Sequence, residues 1–176
     1  MSTTERMLWN GGHGVFLLIV LAGIAFVSGD WAILLALGPA AYLLAVNANS
    51  SAHDPRVIVI GYVTALGAGW VAYTVIAQSV SPMAVEPMSE SGLRMIGSAL
   101  VGFAVTTGVF YLMNTQEPMA YVATFTAAIG GFPTVQSLVV AVIAVLLMAG
   151  IQSIRRRYDP EFAGSVVALN SQKIDW

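Results

Sequence analysis

Long apolar runs separated by short polar segments form the main pattern of this chain. Four runs approach or reach the ~20 residues that a helix needs to cross a bilayer. They cover residues 15–27, 57–80, 93–113 and 135–154. Small residues on both sides extend the first of these runs. Ser91 is the predicted N-cap of the third run. The pattern therefore predicts an all-α, polytopic transmembrane bundle.

Two shorter apolar segments lie between these runs, and each contains a proline. Gly38-Pro39 falls in the middle of 31–46, and Pro118 begins the segment 118–129. Because proline removes a backbone donor and crowds the preceding turn, it bends or breaks a helix. We expect both segments to be Pro-broken or re-entrant. If 31–46 instead crosses the membrane fully, the bundle has five spans rather than four.

The two proline-led segments share one short pattern. Pro39-Ala-Ala-Tyr42-Leu and Pro118-Met-Ala-Tyr121-Val match in the position of proline, alanine and tyrosine. Each lies between two longer runs, which indicates two related units. The sequence predicts one transmembrane domain at 1–157, with units at about 14–80 and 93–155, and a cytoplasmic tail at 158–176.

Composition agrees with a membrane protein and excludes several other classes. Mean hydropathy is +0.80, and only 9% of residues are charged, against about a quarter in soluble domains. Seven scattered basic residues in a chain of net charge -2 give no nucleic-acid surface. The chain has no cysteine, and His13 and His53 lie far apart. We therefore predict no metal, no cofactor and, in the absence of catalytic motifs, no enzyme activity.

Arginines give the expected orientation. Arg155-Arg156-Arg157 directly follows the last run, and cytoplasmic flanks of spans accumulate basic residues. The predicted protein is a multi-pass protein of the cell membrane with a cytoplasmic C-terminus. With both short segments re-entrant, the loop that carries Arg94 is expected on the cytoplasmic side as well.

Glu117 is the main candidate for chemistry, because an ionisable side chain between membrane segments is costly to bury. Capping of exposed amides before Pro118 is the structural alternative. Broken helices also present free amides and a positive end, for which an anion is the natural ligand. The predicted solute path or gate comprises Glu117, Pro118, Gln116, Gly38, Pro39, Tyr42, Tyr121, His53 and Arg56.

Small residues recur at every fourth position on two of the long runs. Such faces let helices approach closely, and we favour packing over a pore lining for them. The predicted packing positions are Gly61, Ala65 and Gly69 on one run and Ser98, Gly102 and Thr106 on the other. Since four spans enclose little space alone, we also expect a homo-oligomer within the lipid bilayer.

Two blocks of the chain resemble the HPP family of small integral membrane proteins. The first joins Gly38-Pro-Ala-Ala-Tyr-Leu-Leu to Ser51-Ala-His-Asp-Pro55-Arg56-Val-Ile-Val-Ile-Gly61-Tyr. The second runs from Glu117-Pro118-Met119-Ala120 to Ala128-Ile-Gly130-Gly131. The His-Pro-Pro sequence that gives the family its name is replaced here by Glu117-Pro118-Met119.

The resemblance implies about four membrane helices and a transport function, with nitrite as the solute of some members. Combined with the pattern of the chain, it predicts a transporter or channel for a small, anionic, nitrite-like solute. The alternative is a membrane subunit or scaffold that does not transport and packs against another membrane protein.

Overall fold

The computed structural model describes residues 3–46, 54–82, 85–114 and 117–158. These residues form six α-helices, and no strand occurs among them. The helices are α1 (Thr3–Ser28), α2 (Ala32–Val46), α3 (Pro55–Ala72, continued by a π-helical turn at Tyr73–Ala77), α4 (Glu90–Met113), α5 (Ala120–Ala128) and α6 (Val135–Tyr158). The prediction of an all-helical fold is confirmed.

Four helices are long and apolar enough to cross a membrane. The candidate spans are Met7–Ser28, Pro55–Ala77, Glu90–Met113 and Val135–Tyr158. At 1.5 Å per residue each exceeds the ~30 Å thickness of the hydrocarbon layer. The chain has the helices of a multi-pass membrane protein, as its apolar runs predict.

Consecutive helices run in opposite directions. The guanidinium of Arg155, near the end of α6, donates to the carbonyl oxygens of Leu44 (2.7 Å) and Ala45 (3.1 Å) and to Asn10 Oδ1 (2.6 Å). Arg156 pairs with Asp54, directly before α3, at 3.1 Å. The starts of α1 and α3 and the ends of α2 and α6 therefore lie together, at what we call the arginine end.

Helix α4 is antiparallel to α3. A Cβ on Gly61 would lie 3.6 Å from Phe110, and a Cβ on Gly97 would lie 3.7 Å from Ile76. Helix α4 therefore begins at the end opposite the arginine end. The expectation that Arg94 shares a side with the three C-terminal arginines is wrong, because α4 and α6 both run toward the arginine end.

Local sequence signals fix the ends of the helices. Asp54 accepts a hydrogen bond from the Arg56 amide (2.9 Å), and Pro55 occupies the first turn of α3. Ser89, rather than the predicted Ser91, caps α4 by accepting from the Gly92 amide at 3.1 Å. Asn114, at φ 49°, closes α4 in the left-handed conformation that asparagine tolerates.

Helix α2 continues through Gly38 and Pro39 without a break. Pro39 removes the hydrogen bond to the carbonyl of Leu35, but the turns on both sides keep theirs. Neighbouring helices make such a loss tolerable inside a membrane protein. The predicted interruption of this segment is therefore wrong.

Helix α5 is the short helix at the centre of the bundle. Six of its nine residues are buried: Ala120, Ala123, Thr124, Thr126, Ala127 and Ala128. It packs against α2, α3 and α4 and ends at Gly130, whose φ of 86° suits glycine. The placement of α5 brings the residues before it, including Glu117, inside the bundle.

Candidate functional site

A cavity of about 710 Å³ lies between the last turns of α4 and the start of α5. It is near the arginine end, where α4 ends. Its walls combine aromatic rings, polar side chains and one carboxyl group. The lining residues are Thr107, Phe110, Tyr111, Asn114, Glu117, Pro118 and Tyr121.

Helical spacing builds one wall of this cavity. Phe110 and Tyr111 lie three and four residues after Thr107, and Asn114 lies four residues after Phe110, so all four share one face of α4. The ring of Tyr121 closes the space from α5, with its centroid 5.5 Å from that of Phe110 in an edge-on contact. Two helices thus hold the aromatic rings in fixed positions.

A chain of hydroxyl groups further fixes Tyr121. Its hydroxyl donates to Thr107 Oγ1 at 3.1 Å, and Thr107 Oγ1 in turn donates to the carbonyl oxygen of Phe103 at 2.8 Å. The Tyr121 ring also packs on the Phe103 ring, with centroids 4.6 Å apart. Both hydroxyl protons are therefore engaged within the protein.

Glu117 is at the base of the cavity and is 2% exposed. Its side chain packs against the backbone of α3, because a Cβ on Gly61 would lie only 3.1 Å from Glu117 Cβ. Gly61 is the seventh residue of α3, about 9 Å along the helix from Pro55. The absence of a side chain at Gly61 is what makes room for the glutamate.

Burial dominates the electrostatics of Glu117. Loss of water raises the pKa of its carboxyl group from 4.5 to about 7, while the backbone amide of Met119 hydrogen-bonds the carboxyl group and partly offsets that rise. Oε2 is buried and has no hydrogen-bond partner among the described residues. The group is thus poised to take up or release a proton near neutral pH.

Tyr62 of α3 is a second buried polar group beside Glu117. It is 1% exposed and interacts electrostatically with the carboxyl group. Its hydroxyl also has no partner within the described part of the chain. Two neighbouring buried groups without partners are unusual, since buried polar atoms are nearly always hydrogen-bonded.

The described residues that line the cavity include one acidic side chain and no basic one. Among the described residues that line it, Glu117 is ionisable near neutral pH, and none is lysine, arginine or histidine. Within the described ranges, no three His, Cys, Asp or Glu side chains form a cluster able to hold a metal ion. The carboxyl group of Glu117 can take up a proton, and three aromatic rings line the cavity beside it.

The predicted path residues separate into two groups. Glu117, Pro118 and Tyr121 meet at the cavity, whereas Gly38, Pro39 and Tyr42 lie in α2 and are not among its lining residues. A Cβ on Gly38 would contact Leu18 of α1, and Tyr42 is 63% exposed on the outside of the bundle. The two matching tyrosines therefore occupy different environments.

The remaining path residues lie elsewhere. Arg56 borders a separate apolar groove between α3 and α6. His53 and Gln116 fall outside the described residues, as does the predicted tail beyond Tyr158.

The predicted packing positions face the centre of the bundle. A Cβ on Gly69 would overlap the Thr124 carbonyl oxygen, and one on Gly102 would lie 3.3 Å from Gly69 Cα. Ser98 donates to the Ala128 carbonyl at 2.7 Å. Gly61 faces Glu117, and Ala65 and Thr106 are fully buried.

Sequence reasoning missed five residues of the site: Tyr62, Thr107, Phe110, Tyr111 and Asn114. The spacing of polar and aromatic residues on the last turns of α4, directly before Glu117, was the available signal. Tyr62 directly follows Gly61, but nothing in the sequence indicates that it meets Glu117.

In comparisons with known proteins, the chain matched no protein-family model, no curated protein sequence and no solved structure. The HPP resemblance therefore stays a prediction based on the motifs themselves.

Proposed function

We propose that this protein is a membrane transporter for a small solute, with Glu117 as its proton-binding group. The observation that carries the proposal is a buried carboxyl group at the base of a cavity between helices; one oxygen of this group has no partner among the described residues. Four long apolar helices provide the membrane setting.

Capping accounts for only part of this arrangement: the Glu117 carboxyl group accepts a hydrogen bond from the Met119 amide, directly before α5, but Oε2 has no partner among the described residues. A capping carboxylate is normally exposed and charged, and it stabilises a helix by about 1 kcal/mol. Glu117 is instead buried, which disfavours its charged form. Intramembrane ionisable groups with such a cost are typical of solute and proton paths.

The orientation follows from the distribution of basic residues. Arg56, Arg155, Arg156 and Arg157 lie at the arginine end and Arg94 at the opposite end. By the positive-inside rule, we expect the arginine end to be cytoplasmic. The cavity beside Glu117 would then be nearer the cytoplasmic side. Two related units and a homo-oligomer remain predictions.

Flux into liposomes tests the proposal. Purified protein is reconstituted with a pH-sensitive dye inside, and a panel of cationic, neutral and anionic solutes is added outside. We expect at least one solute to enter faster than into empty vesicles and to change the internal pH. Glu117→Gln should abolish the change of pH, whereas Glu86→Gln, at an exposed carboxylate, should leave it intact. Flux equal to that of empty vesicles for the whole panel would overturn the proposal.

A scaffold role is the second candidate, supported by an apolar groove of about 360 Å³ between α3 and α4. Gly67, one of its lining residues, has nothing within 4 Å of a Cβ position. A small residue on an open apolar face suits contact with another membrane helix. Gly67→Leu should then disrupt a complex seen by crosslinking in membranes and leave flux unchanged, whereas an unchanged crosslinking pattern would speak against this role.

A further inference from the structure

We propose that the cavity between α4 and α5 binds a small organic cation, such as a quaternary or protonated amine, in competition with a proton on Glu117. This inference deepens the proposed function by naming the class of solute, and it rests on that function for its biological meaning. The proposed ligand is thus a cation, whereas the sequence predicts a nitrite-like anion.

Aromatic rings supply the first part of the recognition. Phe110, Tyr111 and Tyr121 are three of the seven residues that line the cavity. The electron-rich face of an aromatic ring attracts a cation within about 6 Å, and several rings around one space form the usual site for alkylated ammonium groups. Phe110 and Tyr121 are held at a centroid distance of 5.5 Å, so this part of the wall is formed before any ligand binds.

The polarity of the wall supplies the second part. The Tyr121 and Thr107 hydroxyls already donate their protons to Thr107 Oγ1 and the Phe103 carbonyl oxygen. Their oxygens therefore have lone pairs left, but no free proton, for a ligand. These two acceptor oxygens next to a carboxyl group favour a positively charged ligand.

The charge balance points the same way. Glu117 faces Tyr62 of α3, and Tyr111 of α4 and Tyr121 of α5 are the other titratable side chains around the cavity. None of these carries a positive charge, and no basic residue is among the described lining residues. A bound cation would neutralise the ionised form of Glu117, which has no counter-charge among the described residues that line the cavity.

The size of the cavity suits a small molecule. Pockets for such ligands typically measure about 300–1,000 Å³, and this one measures about 710 Å³. A cation and a proton would compete for the same carboxyl group. Because burial places the pKa of Glu117 at about 7, the apparent affinity for a cation should fall as the pH decreases below neutrality.

Equilibrium binding to the full-length protein in lipid nanodiscs tests the inference, with radiolabelled tetraethylammonium as the probe. We expect saturable binding that weakens about tenfold between pH 8 and pH 6, as competition with a proton at a pKa of about 7 requires. Choline should displace the probe. Its neutral isostere 3,3-dimethyl-1-butanol, which has the same shape without the charge, and nitrite should not.

Variants separate the contributions of charge and ring. Glu117→Gln should remove the pH dependence and most of the binding, and Glu86→Gln should change neither. Tyr111 is 87% exposed, so its replacement leaves the core intact. Tyr111→Leu should weaken binding about threefold to tenfold, and Tyr111→Phe, which keeps the ring, should bind like the parent protein.

Absence of saturable binding, or equal displacement by choline and 3,3-dimethyl-1-butanol, would overturn the inference. These binding results do not depend on transport. Solute flux without cation binding would overturn the inference and leave the proposed function in place. Cation binding without flux of any solute would overturn the proposed function and leave the assignment of the ligand class in place.

Discussion

At the scale of single residues, Glu117 combines near-complete burial with a carboxyl group that titrates near neutral pH. It is 2% exposed, and burial brings its pKa into the physiological range. Unfolding would return the carboxyl group to water and to a pKa near 4.5. The folded state therefore holds the proton more tightly than the unfolded state does, and stability must depend on pH.

We predict that Glu117→Gln stabilises the protein at alkaline pH. Between pH 4.5 and 7 the unfolded state loses its proton first, so the free energy of unfolding falls as pH rises and is lowest above pH 7. A rise of pKa from 4.5 to about 7 corresponds to about 3 kcal/mol at most. Thermal unfolding in detergent should show a benefit of Glu117→Gln that is larger at pH 8 than at pH 5 by about 2 kcal/mol.

The control for this prediction is Glu86→Gln, whose carboxylate is exposed. Its effect on unfolding should be small and the same at both pH values. A Glu117→Gln variant with the same stability difference at pH 5 and pH 8 would show that the parent carboxyl group does not titrate between them.

At the scale of elements, α5 depends on small residues of its neighbours. Gly69 of α3 and Gly102 of α4 both contact it through backbone that a side chain would cover. The close approach of α3, α4 and α5 at this point fixes the position of α5 along the bundle axis. That position in turn places Glu117 opposite Gly61.

Two glycines of the same helix provide a matched pair for this claim. Gly69→Ala should destabilise the fold by about 1–3 kcal/mol, because the added methyl group would overlap the Thr124 carbonyl oxygen and lie 2.8 Å from Ala127 Cβ. Gly67→Ala meets nothing within 4 Å and should be neutral or slightly stabilising, since alanine favours helices. Denaturant unfolding of the two variants compares them directly, and equal stabilities would contradict the packing described for α5.

Much of the secondary structure could be predicted from the sequence, because crossing a bilayer requires long apolar runs. The runs at 57–80 and 93–113 match α3 and α4 closely. The break at Pro39 was mispredicted because tertiary packing supports a helix that loses one hydrogen bond. The cavity is only partly predictable from the sequence, since Tyr62 meets Glu117 through the packing of α3 against the residues before α5, which no local pattern contains.

At the scale of the whole molecule, alternating helix directions separate the basic residues. Arg155 joins α6 to α1 and α2, and Arg156 joins it to Asp54, so one end of the bundle is both basic and tightly connected. Glu90 and Arg94 form an exposed pair at the opposite end. The structure thus places Arg94 and Arg157 at opposite ends of the bundle.

Cysteine labelling tests whether these two ends lie on opposite sides of the membrane. Because the chain has no cysteine of its own, only the introduced residue can react. We predict that Glu90→Cys reacts with an impermeant maleimide added to intact cells and that Arg157→Cys reacts only after the membrane is opened. The reverse pattern would invert the orientation but keep the fold. Labelling of both positions from the same side would contradict the alternating arrangement.

The most direct measurement of the whole account is proton release on ligand binding. Tetraethylammonium is added to the purified protein at pH 6, in weak buffer with a pH-sensitive dye. If a cation displaces the proton of a carboxyl group whose pKa is about 7, close to one proton per protein should be released, and none from Glu117→Gln. Saturating tetraethylammonium that releases no proton from the parent protein, or as many protons from Glu117→Gln, would contradict the account.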